Sequence, residues 1–223
     1  MYHKVVRFPE PRNSAVVWRY MPFVSFVDVL QRRKLFFSRL EKLADPHEGF
    51  YSAEMKDILE EKVPKAVIRA TERFSRRNYC VNCWHENEGE SAAMWAIYSQ
   101  SDGIAIRSTV KRLKDSLHNE DRKVSIARVH YGTAPAPVTE PLTLKRKSFS
   151  HEKEIRLWCI ESDRRNGQEY GTRISVDLEL LIDAVFVSPK AEGWITPVVQ
   201  SALDLHGFHV EAVQSTLYSN VLV

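Results

Sequence analysis

His151-Glu152-Lys153-Glu154-Ile155-Arg156-Leu157-Trp158-Cys159-Ile160 reads as a β-strand running from Lys153 to Ile160. Successive side chains on a strand leave opposite faces, and the two faces of this one separate by chemistry. Ile155, Leu157 and Cys159 point into a core. Glu152, Glu154, Arg156 and Trp158 point the other way, which sets two carboxylates and a guanidinium in one row. Such a row is either solvated or lines a cleft, and Trp158 on the same face, costly to leave in water, favours partial enclosure.

Outward from this strand the chain alternates short apolar runs with helical patterns. Further strands are expected at Ala15 to Met21, Lys34 to Leu40, Asn78 to Trp84, Gly103 to Thr109, Lys123 to Tyr131, Gly171 to Asp177, Ala184 to Val187 and Phe208 to Gln214. Arg164-Arg165-Asn166-Gly167 suits a hairpin turn. Phe23 to Arg33 has apolar residues at helical spacing, and a charged helical region from about Ala53 to Phe74 should break or kink at Pro64. Ser91 can cap a short helix that places Met94 and Tyr98 one turn apart. A last helix should start at Thr196 and Pro197, run to about residue 206 before Gly207, and bury Val198, Val199, Ala202 and Leu205. Trp18 and Trp95 are expected in or near the core.

These elements imply an α+β fold: one domain over residues 1–223, with a mostly antiparallel, split or bent central sheet flanked by helices near 23–33, 54–74 and 197–206. The length of 223 residues and 43% hydrophobic content suffice for a full core. No apolar run is long enough to span a membrane and no apolar signal region opens the chain, so a cytoplasmic protein is expected. Three cysteines, Cys80, Cys83 and Cys159, do not make a disulfide scaffold. The net charge of +3 is too small to force a nucleic-acid reading. The short basic runs Arg32-Arg33-Lys34, Lys111-Arg112-Lys114, Lys145-Arg146-Lys147 and Arg164-Arg165 read first as solvated surface.

Other residues invite chemistry. Arg19 stands in the middle of an apolar strand between Trp18 and Tyr20, and needs a counter-charge, a ligand or solvent; its guanidinium fork fits phosphate oxygens. Cys80 and Cys83 resemble a metal pair in spacing, but on a strand they face opposite sides, so no metal site is expected. Asp45-Pro46-His47-Glu48 reads as a turn that could hold a cation. Phosphate-loop, nucleophile-elbow and His-Glu-x-x-His motifs are absent from the sequence.

Taken together, Trp18-Arg19-Tyr20, Leu35-Phe36-Phe37-Ser38, Asp45-Pro46-His47-Glu48, Met94-Trp95 with Tyr98, Gly103-Ile104-Ala105-Ile106, Glu152-Lys153-Glu154-Ile155-Arg156 and Val187-Ser188-Pro189 resemble the bacterial domain-of-unknown-function family 2971. That family is sometimes found beside defence genes, and it usually carries Asn where this chain has Ala44. The order of an Arg on the first strand, a Ser on the next and a later Glu-x-Glu is also similar to the ADP-ribosyltransferase superfamily, matched by Arg19, Ser38 and Glu152-Lys153-Glu154. Ser38-Arg39-Leu40 stands where that superfamily often has Ser-Thr-Ser. The second resemblance implies a nucleotide cleft, NAD as substrate, and a protein or nucleic-acid acceptor. It implies Glu154 as the carboxylate that stabilises the ribosyl cation, Glu152 as the group that orients the acceptor or acts as base, Arg19 on the phosphates, Tyr20 or Tyr98 stacked on nicotinamide, and Ser38 bonded to Glu154. Two other classes compete. A nuclease would gather magnesium with Asp45, Glu48, Glu152 and Glu154, and a binding module would use Glu152, Glu154 and Arg156 as an ordinary ion-pair network.

Overall fold

The computed structural model describes residues 1–4, 10–98, 101–132, 141–164 and 169–219. In chain order the strands and helices begin with β1 (Val16–Pro22), α1 (Phe23–Arg32), β2 (Lys34–Arg39), α2 (Ala53–Glu60), α3 (Lys65–Asn78) and β3 (Tyr79–Glu86). There follow α4 (Ala92–Tyr98), β4 (Gly103–Thr109), α5 (Val110–Asp115), β5 (Ser125–Arg128), β6 (His130–Tyr131), β7 (Leu144–Lys145) and β8 (Glu154–Ile160). The chain ends with β9 (Gly171–Ser175), α6 (Leu178–Leu181), β10 (Ala184–Val187), α7 (Ile195–Leu205) and β11 (Ala212–Gln214). Among the described residues no helix is long and apolar enough to cross a membrane, and none of the three cysteines forms a disulfide.

This is an α+β fold whose strands pair mostly antiparallel. The contacts divide it into two compact units: Met1–Pro11, Phe36–Cys83 and Asp121–Ile174 in one, and Arg12–Leu35, Trp84–Glu120 and Ser175–Val223 in the other.

In the second unit the strand order is β11-β10-β4-β1, antiparallel except for the β10–β11 pair. Trp18 and Tyr20 lie on one face of β1 and pack with Met94, Trp95 and Ala105. Arg19 faces the other way, opposite Ile106 of β4, and is half-buried. Ser91 caps α4, its Oγ accepting the Met94 N–H at 3.4 Å, as the sequence predicts. Helix α7 departs from expectation. It starts at Ile195 after Trp194, so Thr196 is not its cap and Pro197 sits at its third position. The buried stripe is Ile195, Val199, Ala202 and Leu203, while Val198 is 43% and Leu205 84% exposed. Thr196, Gln200, Ser201 and Asp204 make the polar side, and Val198 and Leu205 lie on the edge of the apolar side, so the sequence offers a second stripe, shifted from the buried one, that the fold leaves outside.

In the first unit β8 lies between β5 and β3, followed by β2 and then β9. Pro64 does separate α2 from α3: fixed φ and a missing N–H suit a residue just before a helix. Beneath them Tyr51, Met55, Ile68 and Leu144 form one apolar cluster, and Leu40, Tyr79, Val81, Ala127, Leu142 and Trp158 form another. The proposed turn at Arg164-Arg165-Asn166-Gly167 lies, from Arg165 on, outside the described residues.

Candidate functional site

The strand β8 is covered on both faces. Ile155, Leu157 and Cys159 are buried as expected, but so are Glu154, Arg156 and Trp158, so the polar row is neither solvated nor open. Glu152 is not on the strand. It ends a 3-10 turn at Lys147–Glu152, and Lys153, with φ of 39°, adopts the left-handed conformation that reverses the chain into β8. A lysine carries no cue for that backbone state, which normally falls to glycine or asparagine.

The two glutamates nevertheless meet, through residues supplied from elsewhere in the same unit. The Arg156 side chain is fully buried and its five N–H groups all find oxygen. Nε donates to Glu154 Oε1 at 2.6 Å and Nη2 to Glu154 Oε2 at 2.9 Å. Nη1 donates to Glu48 Oε2 at 3.1 Å and to the Leu142 carbonyl at 2.6 Å, and Nη2 to Glu48 Oε1 at 3.2 Å. The Lys145 ammonium, at the end of β7, lies 2.5 Å from Glu152 Oε2, 3.1 Å from Glu48 Oε1 and 3.3 Å from Glu154 Oε2. Three carboxylates thus surround two cations, with formal charge −1. The Cys83 thiol donates to the Glu154 carboxylate, and the Glu154 backbone N–H donates to the Tyr131 hydroxyl at 2.7 Å.

The charges are mutually supporting. Burial alone would raise the Glu154 pKa, but the charge and hydrogen bonds of Arg156 and the charge of Lys145 pull it from 4.5 to about 2. Burial would lower that of Lys145, yet Glu154 and Glu48 hold it above its ordinary value. Burial pushes the Cys83 thiol up, so it stays a donor.

Beside this network a pocket of about 300 Å³ opens, with Glu48 and Lys145 in its wall together with His47, Phe50, Tyr51 and Arg146. Its rim is built by the turn that the sequence singles out. Asp45 Oδ1 accepts the His47 N–H at 3.0 Å and meets Arg146 Nη2 at 2.9 Å.

Several expectations change. Lys145 is 8% exposed at its side chain, not solvated surface. The four acids of the nuclease reading do not gather around one cation position: Asp45 pairs with Arg146, and Glu48, Glu152 and Glu154 are paired with Lys145 and Arg156. Among the described residues no group of three or more His, Cys, Asp or Glu could hold a metal. The Ser38 hydroxyl donates to the Arg39 carbonyl at 3.4 Å, and the hydrogen bond expected from it to Glu154 comes from Cys83. In the second unit Tyr20 is packed edge-on to Trp95 and His85, its hydroxyl accepting the Ser91 N–H, which suits a core residue better than a stacking surface. Tyr98 is 42% exposed. Glu48, from the turn that the sequence singles out, joins Glu152 and Glu154 with side-chain cations as its partners, and Lys145, Cys83 and Tyr131 complete the network with nothing in their local sequence to announce the roles they take.

No family model matches the chain, so the resemblance to family 2971 is carried no further, and no curated protein matches it. One similar solved structure is DarT of Thermus sp. 2.9 in complex with ADP-ribosylated single-stranded DNA, at 10% identity and a TM-score of 0.44, covering 93% of this chain and 97% of that chain. A likeness at that level carries nothing about activity.

Proposed function

We propose that the chain is an NAD-consuming ADP-ribosyltransferase whose cation-stabilising carboxylate is Glu152. The observation that supports this is the excess of one carboxylate in a buried, hydrogen-bonded cluster. When the bond from nicotinamide to ribose breaks, positive charge grows on the ribose, as in other glycosidic cleavages. A site that is fixed beforehand and formally negative favours that charge over the neutral sugar, which is the differential binding that speeds a reaction.

Glu154, gripped at both oxygens by Arg156, serves as a positioning residue that holds Arg156 and Lys145. Glu152, at the end of its 3-10 turn, is held by Lys145 through Oε2 and takes the role expected at first of its neighbour. The decisive measurement is nicotinamide release from NAD with protein, DNA and RNA acceptors supplied. Glu152→Gln should lower turnover by about a hundredfold while NAD affinity changes little. The NAD contacts expected of Arg19 and Tyr98 are tested separately by Arg19→Ala and Tyr98→Ala. A wild-type protein that neither binds nor cleaves NAD ends the proposal.

A second reading has its own support: both oxygens of Glu48 and of Glu154 accept within the network, as in a purely structural ion cluster of a binding module. Under it Glu152→Gln alters stability and no reaction.

A further inference from the structure

Helix α3 carries five cations, Lys65, Arg69, Arg73, Arg76 and Arg77, and a single acid, Glu72, which is buried and paired with Lys56. Its inner face is Ile68, Glu72 and Ser75. Four of the cations, Lys65, Arg69, Arg73 and Arg77, recur at intervals of four residues and are exposed. Neighbours at that interval share a helix face and stand about 6 Å apart along the axis. Among the described residues Arg69, Arg73 and Arg77 form no side-chain ion pair, and Lys65 meets only Glu60, with 68% of its side chain exposed. Like charges at this spacing destabilise a helix, and the three arginines stand in solvent with no acid of α3 on the same face.

Next to the row lies Phe74, 48% exposed and steadied edge-on by Tyr79 at 5.8 Å. Val67, 50% exposed, is the other sizeable apolar side chain on the outer surface. A helix that lies in a membrane presents a continuous bulky apolar face, and two such residues among alanines do not make one. Regularly spaced guanidinium groups beside one open aromatic ring match a different partner. The cations meet successive backbone phosphates, which arginine binds bidentately, and the ring offers a platform for an unpaired base.

We propose that the outer face of α3 is a docking surface for single-stranded nucleic acid, with Lys65, Arg69, Arg73 and Arg77 on the phosphates and Phe74 under a base. The surface shares no residue with the Lys145 and Arg156 cluster, so the proposal stands or falls apart from the transferase reading.

The test is fluorescence anisotropy of the full chain with a labelled single-stranded oligonucleotide of mixed sequence, DNA and RNA in turn, over a series of salt concentrations. Removing two cations by the double substitution R69Q/R73Q should weaken binding and flatten the plot of log affinity against log salt by about 0.7 for each phosphate no longer neutralised. Phe74→Ala should weaken binding without changing that slope. The control R12Q/K34Q removes two exposed cations elsewhere and should leave the slope alone; circular dichroism checks that every variant is folded under the binding conditions. No binding by the wild type at low salt overturns the proposal. So does binding that R69Q/R73Q leaves unchanged, equal weakening by the control, a duplex bound more tightly than the single strand, or binding to vesicles containing anionic lipid in place of the oligonucleotide.

Discussion

Arg156 clamps the carboxylate of Glu154, two residues before it on the same strand, with Nε on one oxygen at 2.6 Å and Nη2 on the other at 2.9 Å. Side chains at that interval share a strand face, so the pairing needs no help from chain topology. What topology adds is Glu48, which brings a second carboxylate to the same guanidinium.

Removing the guanidinium should therefore expose the cost of burying its partners. Arg156→Met leaves Glu48 and Glu154 facing Lys145 alone and should cost about 3 to 5 kcal/mol in urea unfolding. Arg156→Lys should recover little of it, because a point charge cannot fork between two carboxylates. A loss below about 1 kcal/mol would mean that water reaches these carboxylates.

The depressed pKa of Glu154 sets an acid limb of stability. A carboxyl whose folded value, about 2, lies below its ordinary 4.5 contributes stability that is fully present above the higher value. That contribution drains away as pH falls from about 4.5 towards 2, and amounts to about 3 kcal/mol. Unfolding free energies measured from pH 2 to 6 should show this limb in the wild type and a flatter one in Glu154→Gln. Parallel curves would place the titration elsewhere.

On α7 the two leucines near the C-terminus should behave oppositely. Leu203 is fully buried and Leu205 is 84% exposed. Leu203→Ala should cost about 2 to 5 kcal/mol, and Leu205→Ala should stay within about 0.5 kcal/mol of wild type. Equal losses in denaturant midpoint would reverse the assignment of the helix face.

Gly171 tests the approach of β9 to β2. A Cβ there would lie 2.1 Å from the Phe37 carbonyl oxygen, a backbone atom that cannot swing aside. Gly171→Ala should cost about 1 to 3 kcal/mol or more, against nearly nothing for Gly89→Ala, where no atom lies within 4 Å. Thermal melts of the two variants settle the comparison.

Much of the fold was legible because local rules and tertiary packing agreed. Gly103–Thr109 and Ala184–Val187 are strands with the bounds their apolar runs suggest, and Pro64 divides two helices as its chemistry requires. The reading failed where the surroundings decide. Val198 and Leu205 are as apolar as the residues α7 buries, so spacing alone could not choose between two stripes. The left-handed Lys153 has no signature, and without it Glu152 falls on the strand. Of the site, the contact between Glu154 and Arg156 follows from strand alternation. The places of Glu48 and Lys145 follow only from long-range packing, since a lysine within a basic run reads as surface until three carboxylates are found around it.

The Arg156 and Glu48 side chains that meet in the network stand 108 residues apart in the chain. Neither can leave water comfortably before the other arrives, and the same holds for Lys145 and its three acids. Partly assembled forms of this unit must then either keep these groups hydrated, which holds the interior open, or bury a lone charge. Both alternatives are unfavourable, so the last cation to arrive closes the interior for all of them at once. A fragment ending before Lys145 would present Glu48 with no cation to receive it, and the two stretches of chain that supply the network are useful only together.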